Sequence, residues 1–123
     1  MLGSAKLMAF VTVSDAARAK EFYRGVLGLK LVSEDGFALV FDVGGTALRV
    51  AIAQKVSAAP YTVAGWQVED ADATVRALTA GGVTLERFKG MSQDELGVWT
   101  SPSGAKVAWF KDPDGNLLSV SEH

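Results

Sequence analysis

The chain has 123 residues, 49% of them hydrophobic, and a formal net charge of −2. That is apolar material enough for one compact domain or two small fused modules, and it argues against disorder. No run of Lys or Arg marks a nucleic-acid or anionic-membrane partner, the lack of cysteine excludes disulfides and thiolate metal sites, and the only histidine is His123, the last residue.

Taken in chain order, Leu7–Val13 reads as a strand that is apolar on both faces, so each side needs cover. It is too short for a bilayer span and no cleavage site follows it, so a soluble cytoplasmic protein is expected. Ser14 or Asp15 caps the next helix by accepting from free N–H groups of its first turn. Ala19, Phe22, Tyr23, Val26 and Leu27 form its buried stripe, and Gly28 ends it. Strands follow at about 29–34, 37–43 and 46–53, the last two joined by a tight turn at Gly44-Gly45. Gln54–Tyr61 is an Ala- and Ser-rich linker containing Pro60.

The pattern then starts again. A strand is predicted near 62–68 and a helix at about 70–80 burying Ala71, Thr74, Val75 and Leu78. A strand at 83–88 precedes an irregular stretch, Lys89–Glu95. A hairpin joins about 96–100 to 105–111, and a tight turn at Asp112-Pro113-Asp114-Gly115-Asn116 leads into a last strand at about 117–121. Val13-Ser14-Asp15 and Val68-Glu69-Asp70 open the two helices, and Gly28 and Gly81-Gly82 close them. A repeat of roughly 55 residues predicts two similar modules. The expectation is an α+β chain, a single domain over 1–123, with two tandem βαβββ modules (about 5–54 and 62–122, linker about 55–61). They form a cup-shaped, partly open mixed sheet with the helices on the convex side, and a cleft of this kind is where function is expected.

Two motifs carry a family resemblance. Glu21-Phe22-Tyr23-Arg24-Gly25-Val26-Leu27-Gly28 is close to an "FY..vLG" signature, and Asp112-Pro113-Asp114-Gly115-Asn116 to a "DPDGN" turn. In that order, and with the repeat, the sequence resembles the glyoxalase / bleomycin-resistance / dioxygenase proteins, the vicinal oxygen chelate superfamily. The resemblance implies the fold far more firmly than any one activity, because the same scaffold hosts lyases, isomerases, dioxygenases and pure binding proteins.

The resemblance also implies four metal-ligand positions on inward-facing strand residues. One lies seven residues before the helix-starting Asp and falls on Met8; the others fall nearest Ala51, on Val63 and on Ser119. Divalent Zn, Ni, Fe or Mn needs imidazole, carboxylate or carboxamide donors. Ala and Val offer no lone pair, Met is a soft thioether, and neutral Ser is a poor ligand. No metal and no cofactor is therefore expected, with a register slip toward Gln54, Gln67 or Glu69 as the only rescue. Period-two counting gives an apolar inward set of Met8, Phe10, Ala51, Ala53, Val63 and Leu117.

Other candidates are weaker. Arg49 shares parity with Ala51, so it either points into the cup, where it could pair with a carboxylate or phosphate, or stays at the rim. Trp66 reads as core by parity. Trp99 and Trp109 line the cup or pack inward depending on the hairpin register. The acidic turn at 112–116 is read as structural, since it lacks the EF-hand spacing. The glycine pairs are caps and turns, with no phosphate-loop pattern around them. Lys89–Glu95 is an ordinary surface loop or a lid, and Asp94 and Glu95 have no partner in the sequence to tune them as bases.

Residue by residue, the expected ligand contacts are Met8, Phe10, Arg49, Ala51, Val63, Trp99, Trp109, Leu117 and Ser119. The expected function is binding or sequestration of a small, largely apolar or aromatic molecule, as in the bleomycin-resistance branch, with turnover disfavoured. The alternatives are a glyoxalase-like lyase or isomerase or a dioxygenase-type enzyme with displaced ligands or no metal, and a ligand sensor. The resemblance implies a homodimer.

Overall fold

A computed structural model describes residues 1–123. The fold is α+β, with two four-stranded mixed sheets and few helices. Its contacts divide the chain into a first unit, Met1–Ser57, and a second, Ala58–His123.

The first unit contains a short 3-10 turn (Leu2–Ser4), β1 (Met8–Val13), α1 (Ala16–Lys20), β2 (Lys30–Glu34), β3 (Ala38–Val43) and β4 (Thr46–Ile52). The sheet order is β1-β4-β3-β2, with β1 parallel to β4 and the other pairs antiparallel. Of the two candidate caps it is Asp15 that serves: its carboxylate accepts from the backbone N–H of Arg18 at 2.9 Å. The helix is not α-helical throughout. After Lys20 it widens into a π-helical segment, Glu21–Val26, in which the N–H of Leu27 donates to the carbonyl of Phe22, five residues back, at 2.9 Å. The widened turn shifts the stripe, so Ala19, Phe22 and Tyr23 are buried while Val26 and Leu27 are only half-buried. Tyr23 packs on Phe41 with ring centroids 6.0 Å apart. Val11, Val13, Leu39, Phe41, Leu48 and Val50 complete this core.

The second unit contains β5 (Ala64–Gln67), α2 (Ala71–Ala80), β6 (Trp99–Thr100), β7 (Lys106–Lys111) and β8 (Leu117–Glu122), in the order β5-β8-β7-β6. This is the same topology, with β5 parallel to β8. Asp70 repeats the role of Asp15, accepting from the N–H of Ala73 at 3.0 Å. α2 buries Ala71, Val75 and Leu78. Thr74 is not part of that core; its hydroxyl donates to the Asp70 carbonyl at 2.8 Å. Ala108, Phe110, Leu118 and Val120 form the sheet side of the core, and Trp66 stacks on Phe110 at 6.5 Å, as parity predicted.

The strand expected at 83–88 is reduced to one bridge, Leu85 to Phe110, and the one at 96–100 to the two residues of β6. Both fragments lie on the same edge of β7. The intervening chain is tied down by Gln93. Its carboxamide donates to the carbonyls of Glu86 and Gly97, both at 2.9 Å, and accepts from the N–H of Phe88 at 2.8 Å. A side chain thus supplies bonds that a continuous edge strand would have made with backbone. The Asp112 turn is structural: its buried carboxylate accepts from the N–H groups of Asp114 and Asn116 and from the Asn116 carboxamide.

Candidate functional site

Each sheet has one face under its helix and one face free of it. Strand periodicity sorts residues between the two, and the register shows which neighbours they meet.

On the first unit's free face, Met8, Phe10 and Thr12 of β1 stand beside Ala47, Arg49 and Ala51 of β4. Those in turn stand beside Asp42, Val40 and Ala38 of β3. Strand β1 was expected to be covered on both sides; only its Val11/Val13 side is, and Met8 and Phe10 remain 45% and 59% exposed. A β-bulge between Leu31 and Ser33 displaces Val32, which is also exposed. Val32, of the same parity as Lys30, joins Leu7, Met8, Val40 and Ala47 around a cavity of about 410 Å³. Lys6 and Asp42 add one charge of each sign to its wall. Such a volume lies in the range that holds small organic molecules. Sequence reasoning missed Lys6, Leu7, Val32, Val40 and Asp42. Parity on β3 was legible, but the bulge was not.

On the second unit's free face, Ser119 lies between Gly65 of β5 and Trp109 of β7, and Ser121 between Gln67 and Val107. Trp99 pairs with Val107, which puts it on this face as well. Both tryptophans left open by the sequence therefore sit on the free face. They pack together at 6.2 Å, and Phe88 meets Trp109 edge-on at 5.4 Å. Leu117 shares their parity but is buried. Val63 lies just before β5, its N–H donating to the Leu117 carbonyl at 2.9 Å. Gly65 packs closely on Ser119: a Cβ there would come 2.6 Å from the hydroxyl, which would have to rotate away.

The structure thus puts Met8, Phe10, Arg49 and Ala51 on one free face and Val63, Trp99, Trp109, Leu117 and Ser119 on the other. Within the first, Met8 and Ala51 are not cross-strand partners: Met8 pairs with Ala47, and Ala51 with Thr12.

These residues do not fit the divalent ion the fold family implies. The four positions supply one thioether, one neutral hydroxyl and two hydrocarbon side chains, and no three His, Cys, Asp or Glu side chains come together as a metal-holding group anywhere in the chain. The clearest carboxylate effect lies at the β2–β3 turn, where the N–H groups of Phe37 and Ala38 donate to Asp35 and hold its pKa below the ordinary value. No helix is long and apolar enough to cross a membrane.

A profile of the Glyoxalase/Bleomycin resistance protein/Dioxygenase superfamily matches residues 6–120, and the chain belongs to that superfamily. Solved structures share its fold. A lactoylglutathione lyase from Agrobacterium tumefaciens is 22% identical with a TM-score of 0.76, over 97% of this chain and 93% of that one. A glyoxalase family protein from Enterococcus faecalis is 21% identical with a TM-score of 0.76, over 99% and 100%. A superfamily member from Sphaerobacter thermophilus is 22% identical with a TM-score of 0.74, over 98% of each chain. No curated protein matches the sequence significantly.

Proposed function

We propose that this superfamily member binds a small, largely apolar or aromatic molecule on the free faces of its sheets, and that binding, not metal-assisted turnover, is its function. The observation that carries this reading is the side chains found where the family's ligands are expected. Met8 and Ala51 share the first unit's free face with Phe10 and Val40, and Val63 and Ser119 share the second unit's with Trp99 and Trp109; each set stabilises hydrocarbon and aromatic surface and offers a cation almost nothing. Apolar contact at roughly 25 cal/mol per Å² removed from water supplies the affinity. Homodimerisation, expected from the resemblance, is part of the proposal.

The test uses the tryptophans. A library of small aromatic and aliphatic compounds is titrated while indole fluorescence is followed, because Trp99 and Trp109 are both on a free face. Saturable quenching that Trp109→Phe diminishes is the expected result, and no saturable binder across a broad library would count against the reading. Elemental analysis of protein purified without chelator supplies the second arm. Near-stoichiometric Zn, Ni, Fe or Mn would end the metal-free part.

A further inference from the structure

Arg49 is out of place on the first unit's free face. It stands mid-sheet on β4, with Phe10 beside it on β1 and Val40 on β3, and with Ala47 and Ala51 two residues away along its own strand. It is half-buried, and it forms neither a hydrogen bond nor an ion pair. Arg49 helps to hold the Asp35 pKa down, but more weakly than the N–H groups of Phe37 and Ala38. Asp42, on the same face, already accepts from the N–H of Gly45 at 3.1 Å. The other cation of these strands on that face, Lys30, is exposed at the edge.

A guanidinium among hydrocarbon side chains loses part of its hydration and gains nothing in exchange unless an acceptor arrives. Its flat fork of N–H donors matches two oxygens held in one plane. The cavity bounded by Met8, Val32, Val40 and Ala47 begins one row further along the same face, so an anchor for charge and a receptacle for hydrocarbon are side by side.

We infer that the first unit's free face takes an amphiphilic organic carboxylate, its carboxylate paired with the Arg49 guanidinium and its apolar body laid over Phe10 and Val40 into the adjoining cavity. The charge count favours a monoanion over a phosphate. One guanidinium is available at the position; Lys30 is exposed at the sheet edge, and Lys6 shares the cavity wall with the opposite charge of Asp42, so the face offers no net second positive charge there. The inference rests on the binding reading above and adds to it a ligand class and a residue that selects it.

The test is a titration of the full-length chain, followed by calorimetry and by backbone amide shifts, with three probes of similar shape: 2-naphthoate, 2-naphthamide and 2-naphthyl phosphate. Naphthoate is expected to bind about tenfold more tightly than the neutral amide, the scale of one charge-assisted pair at a half-exposed site, and to move the amides of Phe10, Val40 and Ala47. Arg49→Met, which keeps the apolar stem, is expected to erase the preference of naphthoate over naphthamide; Arg49→Lys should keep part of it. Equal binding of naphthoate and naphthamide to the wild type overturns the carboxylate anchor but leaves apolar binding standing. Tighter binding of the phosphate, lost in Arg49→Met, overturns the choice of carboxylate. Failure of all three probes to shift those amides overturns both the anchor and the binding reading for this face.

Discussion

The two units share a topology and a parity and differ in how each free face is finished. In the first, β2 is a full edge strand broken only by a bulge, and the face it borders is open, has one aromatic ring in its strands, Phe10, and carries an unpaired guanidinium. In the second, the equivalent edge is two fragments bridged by a Gln93-tied loop, and the face is aromatic and packed on itself through Phe88, Trp99 and Trp109. The same backbone plan thus yields two chemically different surfaces. The difference lies in the edge: a continuous strand satisfies its own carbonyls and N–H groups and leaves its side chains free, whereas a broken edge recruits side chains to do so.

The sharpest way to break this picture is to truncate one phenylalanine on each kind of face. Phe110 is 1% exposed and stacked on Trp66, so Phe110→Ala is expected to cost about 3–5 kcal/mol in urea unfolding. Phe10, on the free face, should cost within about 0.5 kcal/mol on the same substitution. Similar losses at both positions would mean that the Phe10 face is covered in solution. Next in size is Gln93→Ala, which strands two carbonyls and one N–H; about 1–2 kcal/mol is expected, with faster amide exchange confined to residues 86–98. Unchanged exchange there would show that the carboxamide does not hold the loop.

The smallest effect concerns the first unit's bulged edge. Donation from the N–H groups of Phe37 and Ala38 lowers the Asp35 pKa below 3.8. A carboxyl whose folded value is depressed adds stability that is complete above its unfolded value and is lost as pH falls through the folded one. Carboxyl-carbon NMR should therefore place its midpoint below 3.8, and Asp35→Asn should flatten the acid limb of stability, with a small loss at neutral pH, where the carboxylate's contribution is complete, and little change below the folded midpoint. A midpoint at or above the ordinary value would sink the turn geometry.

Much of this was legible before any coordinates. Asp15 and Asp70 announce helix starts because only a short side chain with an acceptor can reach back to a first-turn N–H. The repeat foretold the equal topologies, and the period of two placed Met8, Phe10, Arg49 and Ala51 on one side and Trp66 on the other. Less legible was anything that depends on which strand meets which. The Trp99 and Trp109 faces required the hairpin register. The pairing of Ser33 with Val40 and of Glu34 with Leu39 required the bulge, because the extra residue reverses the parity count beyond Val32. The 83–88 segment has strand-like composition yet makes one bridge, since edge pairing is decided by the partner's free groups and not by propensity.

What the sequence determined by itself was therefore local and periodic: caps, turns and the alternation of faces. These follow from bonds and spacings within a few residues. Tertiary structure alone decided the rest, namely the cavity beside β3 and β4, the Gln93 tie, and the isolation of Arg49 among hydrocarbon neighbours. Each depends on what a distant strand presents, and a charge's surroundings cannot be read from its own segment.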